Sequence, residues 1–161
     1  MMDRIEMDAV YAHPPERVWR ALTDAAALSK WFMPTDLRPI EGFRFRFQRP
    51  GGGAIRGKVT EVKEGRRLSF TFRDDEDGQE SLVVWSIDPV DSGTRLHVEH
   101  RVIEESPVTC LCPDNYFNWI YALTHSLPGL LALLRACPDR MPRLPITYVE
   151  EDRSILAAVS R

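Results

Sequence analysis

Residues 4–11 alternate polar and apolar: Ile5, Met7 and Ala9 lie between Arg4, Glu6 and Asp8. That period of two predicts a half-buried strand. From His13-Pro14-Pro15 the period lengthens, and Val18, Ala21 and Leu22 fall on one helical face. Proline suits the first turn, where its missing N–H would have no partner. Asp24 is placed to cap a second short helix carrying Leu28, Trp31 and Phe32, which Pro34 stops. The middle of the chain then returns to alternation. Phe43, Phe45 and Phe47 interleave with Arg44, Arg46 and Gln48; Leu68, Phe70 and Phe72 with Ser69, Thr71 and Arg73; Leu96, Val98 and His100 with His97, Glu99 and Arg101. Residues 55–62 and 82–87 supply two further strands, and a slip of parity between Val59 and Val62 predicts a bulge. Pro50-Gly51-Gly52-Gly53, Glu64-Gly65, Asp77-Gly78 and Asp91-Ser92-Gly93 are turn signals at hairpin spacing. Together these runs predict an antiparallel meander with one buried face.

Helical spacing resumes over about residues 114–136, where Trp119, Ile120, Leu123, Leu127, Leu130, Leu131 and Leu134 make a broad apolar stripe. Pro128-Gly129 inside it predicts a kink or a break into two helices. Beyond Pro138, Pro142 and Pro145 the chain reads as a connector. A short strand over 146–149 and a terminal helix over 150–160 are expected after it. Helical ends around antiparallel strands give an α+β layer fold.

Composition narrows the function classes. The 161 residues are 43% hydrophobic and 28% charged, as in an ordinary globular domain with a core. A net charge of −3 disfavours a dedicated nucleic-acid surface. The arginines 44, 46, 49 and 56 read as a solvated strand face. No run approaches the roughly 18 apolar residues that span a bilayer, and the charged start Met1-Met2-Asp3-Arg4 lacks an export signal. The expectation is a cytoplasmic protein whose three cysteines, Cys110, Cys112 and Cys137, stay reduced.

Several blocks carry a family resemblance. Residues 14–24, Pro-Pro-Glu-Arg-Val-Trp-Arg-Ala-Leu-Thr-Asp, are followed by Leu28-Ser29-Lys30-Trp31-Phe32-Met33-Pro34. Gly42-Phe43-Arg44-Phe45, Gly57-Lys58-Val59-Thr60-Glu61-Val62 and residues 93–100, ending in His100, come next. Trp119 and Leu123 follow on the last helix. Over about residues 5–136 the chain resembles the START-like (SRPBCC) superfamily and, within it, the activator of heat-shock protein 90 ATPase homologues. The resemblance implies a helix-grip fold: a curved antiparallel sheet wrapped around a long C-terminal helix, with two short helices after the first strand. It sets residues 1–137 as the domain and 138–161 as an extension, packed on that domain or across a homodimer. Pro128-Gly129, Cys110-Leu111-Cys112-Pro113 and the extension depart from the family pattern.

The resemblance also implies an apolar cavity between sheet and helix. Its lining would draw on Trp31, Phe45, Phe47, Phe70 and Phe72, with Trp85, His100, Tyr116, Trp119 and Leu123 completing it. For each of these taken singly, plain core packing is the stronger reading, since alternation reports burial and not a void; only the set as a whole speaks for a cavity as much as for packing. His100 shares the inward parity of Leu96 and Val98, as a hydrogen-bonded core histidine or as a ligand contact. Nucleophile elbows, phosphate loops and nucleotide fingerprints are missing from the sequence. Cys110-x-Cys112 lacks the second ligand pair of a structural zinc site, and His97 and His100 fall on opposite strand faces, so neither a metal nor another cofactor is expected. The first reading is a non-enzymatic domain that binds a small hydrophobic or aromatic molecule. The alternatives are a co-chaperone-like protein-interaction module with a chaperone as partner, and a cyclase- or hydrolase-type enzyme using His100, Tyr116 and Tyr121. No nucleic-acid or membrane partner is expected.

Overall fold

The computed structural model describes residues 4–49, 51–74, 80–103 and 118–136. Six strands form one antiparallel sheet: β1 (Arg4–Tyr11), β2 (Arg44–Gln48), β3 (Ala54–Lys63), β4 (Arg67–Asp74), β5 (Glu80–Val90) and β6 (Gly93–Val102). Their order is β1-β6-β5-β4-β3-β2, so every neighbour except β1–β6 is joined by a hairpin. Two helices, α1 (Pro15–Thr23) and α2 (Ala25–Trp31), carry the chain from β1 across to β2. Residues 118–121 open a C-terminal helix that passes through a π-helical turn, Ala122–Ser126, into α3 (Leu127–Ala136). The fold is α+β, as the alternation and the resemblance predicted.

Local chemistry explains the element ends. Pro15 sits at the first position of α1, and Asp24 caps α2 by accepting from the backbone N–H groups of Ala26 and Ala27. The expected bulge is present as a register shift on β3 between Val59 and Glu61. Gly57 faces Phe45 across the β2–β3 ladder. A Cβ there would collide with the Thr71 carbonyl and the Phe45 ring, so the glycine gives that ring its place over the strand.

The expected break at Pro128-Gly129 is corrected by the structure. Helix α3 runs through both residues, and the irregularity falls one turn earlier. The Leu127 N–H bonds back five residues to the Ala122 carbonyl. The Leu123 carbonyl thereby loses its α-helical donor, and the next candidate, Pro128, has no N–H. Tyr11 of β1 fills the vacancy: its buried hydroxyl donates to the Leu123 carbonyl at 2.7 Å. Burial also pushes the Tyr11 pKa far up, so the hydroxyl keeps the proton this bond needs.

One face of the sheet and the helices enclose a single core in which Val18, Leu22, Leu28, Val83, Val98, Leu127 and Leu130 are buried. The other face is charged. On β1 and β6 its charges interlock: Arg4 reaches Glu6 and Glu99, and His97 reaches Asp8. On β2 and β3 like charges stand opposite each other, Arg44 against Lys58 and Arg46 against Arg56.

Candidate functional site: an aromatic cluster between sheet and helix

Strand parity aims Phe45 and Phe47 (β2), Phe70 and Phe72 (β4), Trp85 (β5) and His100 (β6) at the helical layer, and Trp119 faces them from the C-terminal helix. The structure brings these predicted residues together as a connected set of rings. Phe32, which the sequence placed only on the apolar face of α2, proves to be the joint of the cluster. It stands just past the end of α2, stacks on Trp119 at 5.1 Å, and meets Phe47 and Trp85 edge to face at 5.0 and 5.9 Å.

The contacts close into a circle. Phe32 touches Trp119, Trp119 touches His100 (6.1 Å), His100 touches Phe72 (5.2 Å), Phe72 touches Phe47 (6.2 Å), and Phe47 returns to Phe32. Trp85 and Phe70, in contact at 5.0 Å and fully buried, join this circle from within the core. Trp31 and Phe45 lie outside the circle against Trp85 and Phe70. Phe32 and Phe72 are only half-buried, so two members of the circle reach solvent. Leu123 is buried beside the set, fixed through its carbonyl by Tyr11.

Among the described residues, His100 and Ser81 bring polar groups to this cluster. The Trp119 indole N–H donates to His100 Nδ1 at 3.1 Å, so that nitrogen carries no proton. The proton therefore sits on Nε2, which donates to Ser81 Oγ at 2.6 Å, and the Ser81 hydroxyl donates to the Phe72 carbonyl at 3.0 Å. Burial lowers the His100 pKa to about 4, in keeping with a neutral ring. With both nitrogens engaged, His100 ties the C-terminal helix to β4 through β5. It is a hydrogen-bonded core histidine among the rings.

Other predicted residues lie elsewhere. Tyr116, Cys110, Cys112, Cys137 and the extension 138–161 are outside the described residues. Tyr121 is half-buried and stacks on the exposed His125 at 5.0 Å. On the outer sheet face Glu6, His97 and Glu99 bring potential metal-ligating atoms within 4.8 Å of one another, but Arg4 already bridges the two carboxylates.

All the rings of the cluster lie within the stretch that a family model matches. The model described as Activator of Hsp90 ATPase homolog 1-like protein matches residues 12–124, from the end of β1 into the π turn. The chain belongs to that family. Among solved structures, a family-like fold recurs in protein MLL2253 from Mesorhizobium loti (26% identity, 81% of this chain and 97% of that one, TM-score 0.69). Protein CV1439 from Chromobacterium violaceum is similar too (26%, 80% and 96%, 0.66). PFC0360w, described as an HSP90 activator from Plasmodium falciparum, shares the fold at 21% identity over 81% of this chain and 96% of that one (TM-score 0.66). No curated protein matches the sequence. The family match ends at residue 124, within the π turn and before α3. Among the described residues no helix is long and apolar enough to cross a membrane.

Proposed function

We propose that this family member is a non-enzymatic binding domain that holds one small, flat, apolar molecule in an aromatic cup formed by the ring cluster. The observation that carries the reading is the closed circle of rings from β2, β4, β6, the end of α2 and the C-terminal helix, with Phe32 and Phe72 half-buried at its edge. Phe32 and Phe72 keep a solvent-facing side beside buried rings, and a ligand covering them would bury that area. His100 acts as wall and tether, since its nitrogens are engaged within the protein, and this disfavours the acid–base reading. The protein works in the cytoplasm on this view. The test is calorimetric titration with 2-acetylnaphthalene. One site per chain is expected in the wild type, with loss of binding in Phe72→Glu when circular dichroism shows that variant folded. Absence of binding in the wild type overturns the proposal.

A second reading is favoured by the family description and by the HSP90 activator of similar fold. It makes the chain a protein-interaction module on a chaperone. Its test is the ATPase rate of purified Hsp90 with and without the chain. A rise that Phe72→Glu leaves intact supports this reading over the cup.

A further inference from the structure

The four tryptophans differ in one respect. The Trp31 indole N–H donates to the Ala21 carbonyl at 2.7 Å, Trp19 to Glu64 at 3.2 Å, and Trp119 to His100 at 3.1 Å. Trp85 is as buried as any of them, with no exposed surface, yet its Nε1–H has no hydrogen-bond partner. Its ring neighbours are Trp31, Phe32, Phe70 and Trp119. A buried donor without an acceptor loses its hydration and gains nothing in return, and native interiors rarely tolerate it. Its remaining partner inside the protein is the face of an aromatic ring, a weaker acceptor than oxygen.

Resting on the cup reading, we infer that Trp85 Nε1–H is the specificity-determining donor of the site, and that the ligand is a flat aromatic bearing a hydrogen-bond acceptor such as a ketone, quinone or ether oxygen. Trp85 touches both Phe32 and Trp119, and Phe32 is half-buried at the solvent edge of the circle, so a ligand ring that lodges against Phe32 comes next to the Trp85 indole. An oxygen on that ring completes the one buried donor left open among the described residues. Hydrocarbons of the same shape fill the space and leave the N–H unpaired. The site therefore selects by the presence of the acceptor more than by size.

The test compares 2-acetylnaphthalene with 2-isopropenylnaphthalene, which replaces the carbonyl oxygen by a methylene of similar size. Their dissociation constants are measured on wild type and Trp85→Phe, so that their different hydrophobicities cancel in the ratio of ratios. The ketone preference is expected to be about tenfold greater in wild type, the usual effect of one hydrogen bond. In the wild type alone, nitrogen–proton spectra show four indole signals. The Trp85 proton is expected to move downfield with the ketone and not with the hydrocarbon. This second readout stands even if Trp85→Phe does not fold. Equal ketone preference in both proteins, or an indole signal that responds alike to both compounds, overturns the inference while leaving the cup standing. Binding of neither compound overturns both.

Discussion

Lowering the pH from about 7.5 to about 5 should remove on the order of 2 kcal/mol of stability through His100 alone. The folded protein keeps its imidazole neutral: burial is the cause, and the pKa falls to about 4 from an ordinary 6.5. The unfolded chain takes up a proton near pH 6.5, whereas the folded chain does not until about 4. Between those values the unfolded state binds more protons, so stability rises with pH. The contribution is fully present above about 6.5 and is lost as the pH falls toward about 4, where the whole difference amounts to roughly 3 kcal/mol. Protonation at Nδ1 would also turn the Trp119 N–H from a donor with an acceptor into one facing another donor. Urea unfolding followed by tryptophan fluorescence at several pH values measures this, with His100→Gln as the reference that cancels the carboxylates and the other histidines. The wild type is the more stable at neutral pH, and its advantage should shrink by about 2 kcal/mol at pH 5. Parallel pH profiles for the two proteins would refute the reasoning, because the imidazole would then titrate alike in both states.

Three further substitutions follow from contacts elsewhere in the fold. Tyr11→Phe leaves the Leu123 carbonyl buried with no donor and should cost about 1–3 kcal/mol in denaturation free energy, with little change in sheet content by circular dichroism. Asp24→Ala removes the cap of α2 and should cost about 1 kcal/mol in the same assay. Lys58→Glu, opposite Arg44, should instead raise stability by about 0.2–1 kcal/mol, and added salt should shrink the gain.

Much of the scaffold was legible because it depends on local period and punctuation. The alternation in 43–47, 68–72 and 96–100 fixed which side chains face the helix. Asp24 and the parity slip after Val59 announced a cap and a bulge that the structure contains. Phe32 was harder to read, since it lies past the last turn of α2, where helical spacing no longer says which way a ring turns. Pro128 signalled an irregularity, but its consequence depended on Tyr11, more than a hundred residues away, offering a hydroxyl to the released carbonyl. For His100 the sequence already offered a hydrogen-bonded core histidine, but the partners of its ring, and whether the Trp119 and Trp85 indoles find acceptors, were not legible. Burial of His100 and Trp85 follows from parity, whereas the presence of an acceptor for one indole and its absence for the other is set by how strands and helix meet.

Native mass spectrometry of the chain purified from its own host tests the central claim most directly. The account predicts a single small-molecule adduct per chain, released on denaturation, or a bare chain that takes up one 2-acetylnaphthalene and fails to do so as Phe72→Glu. Bare chain mass both before and after incubation with that compound would contradict it.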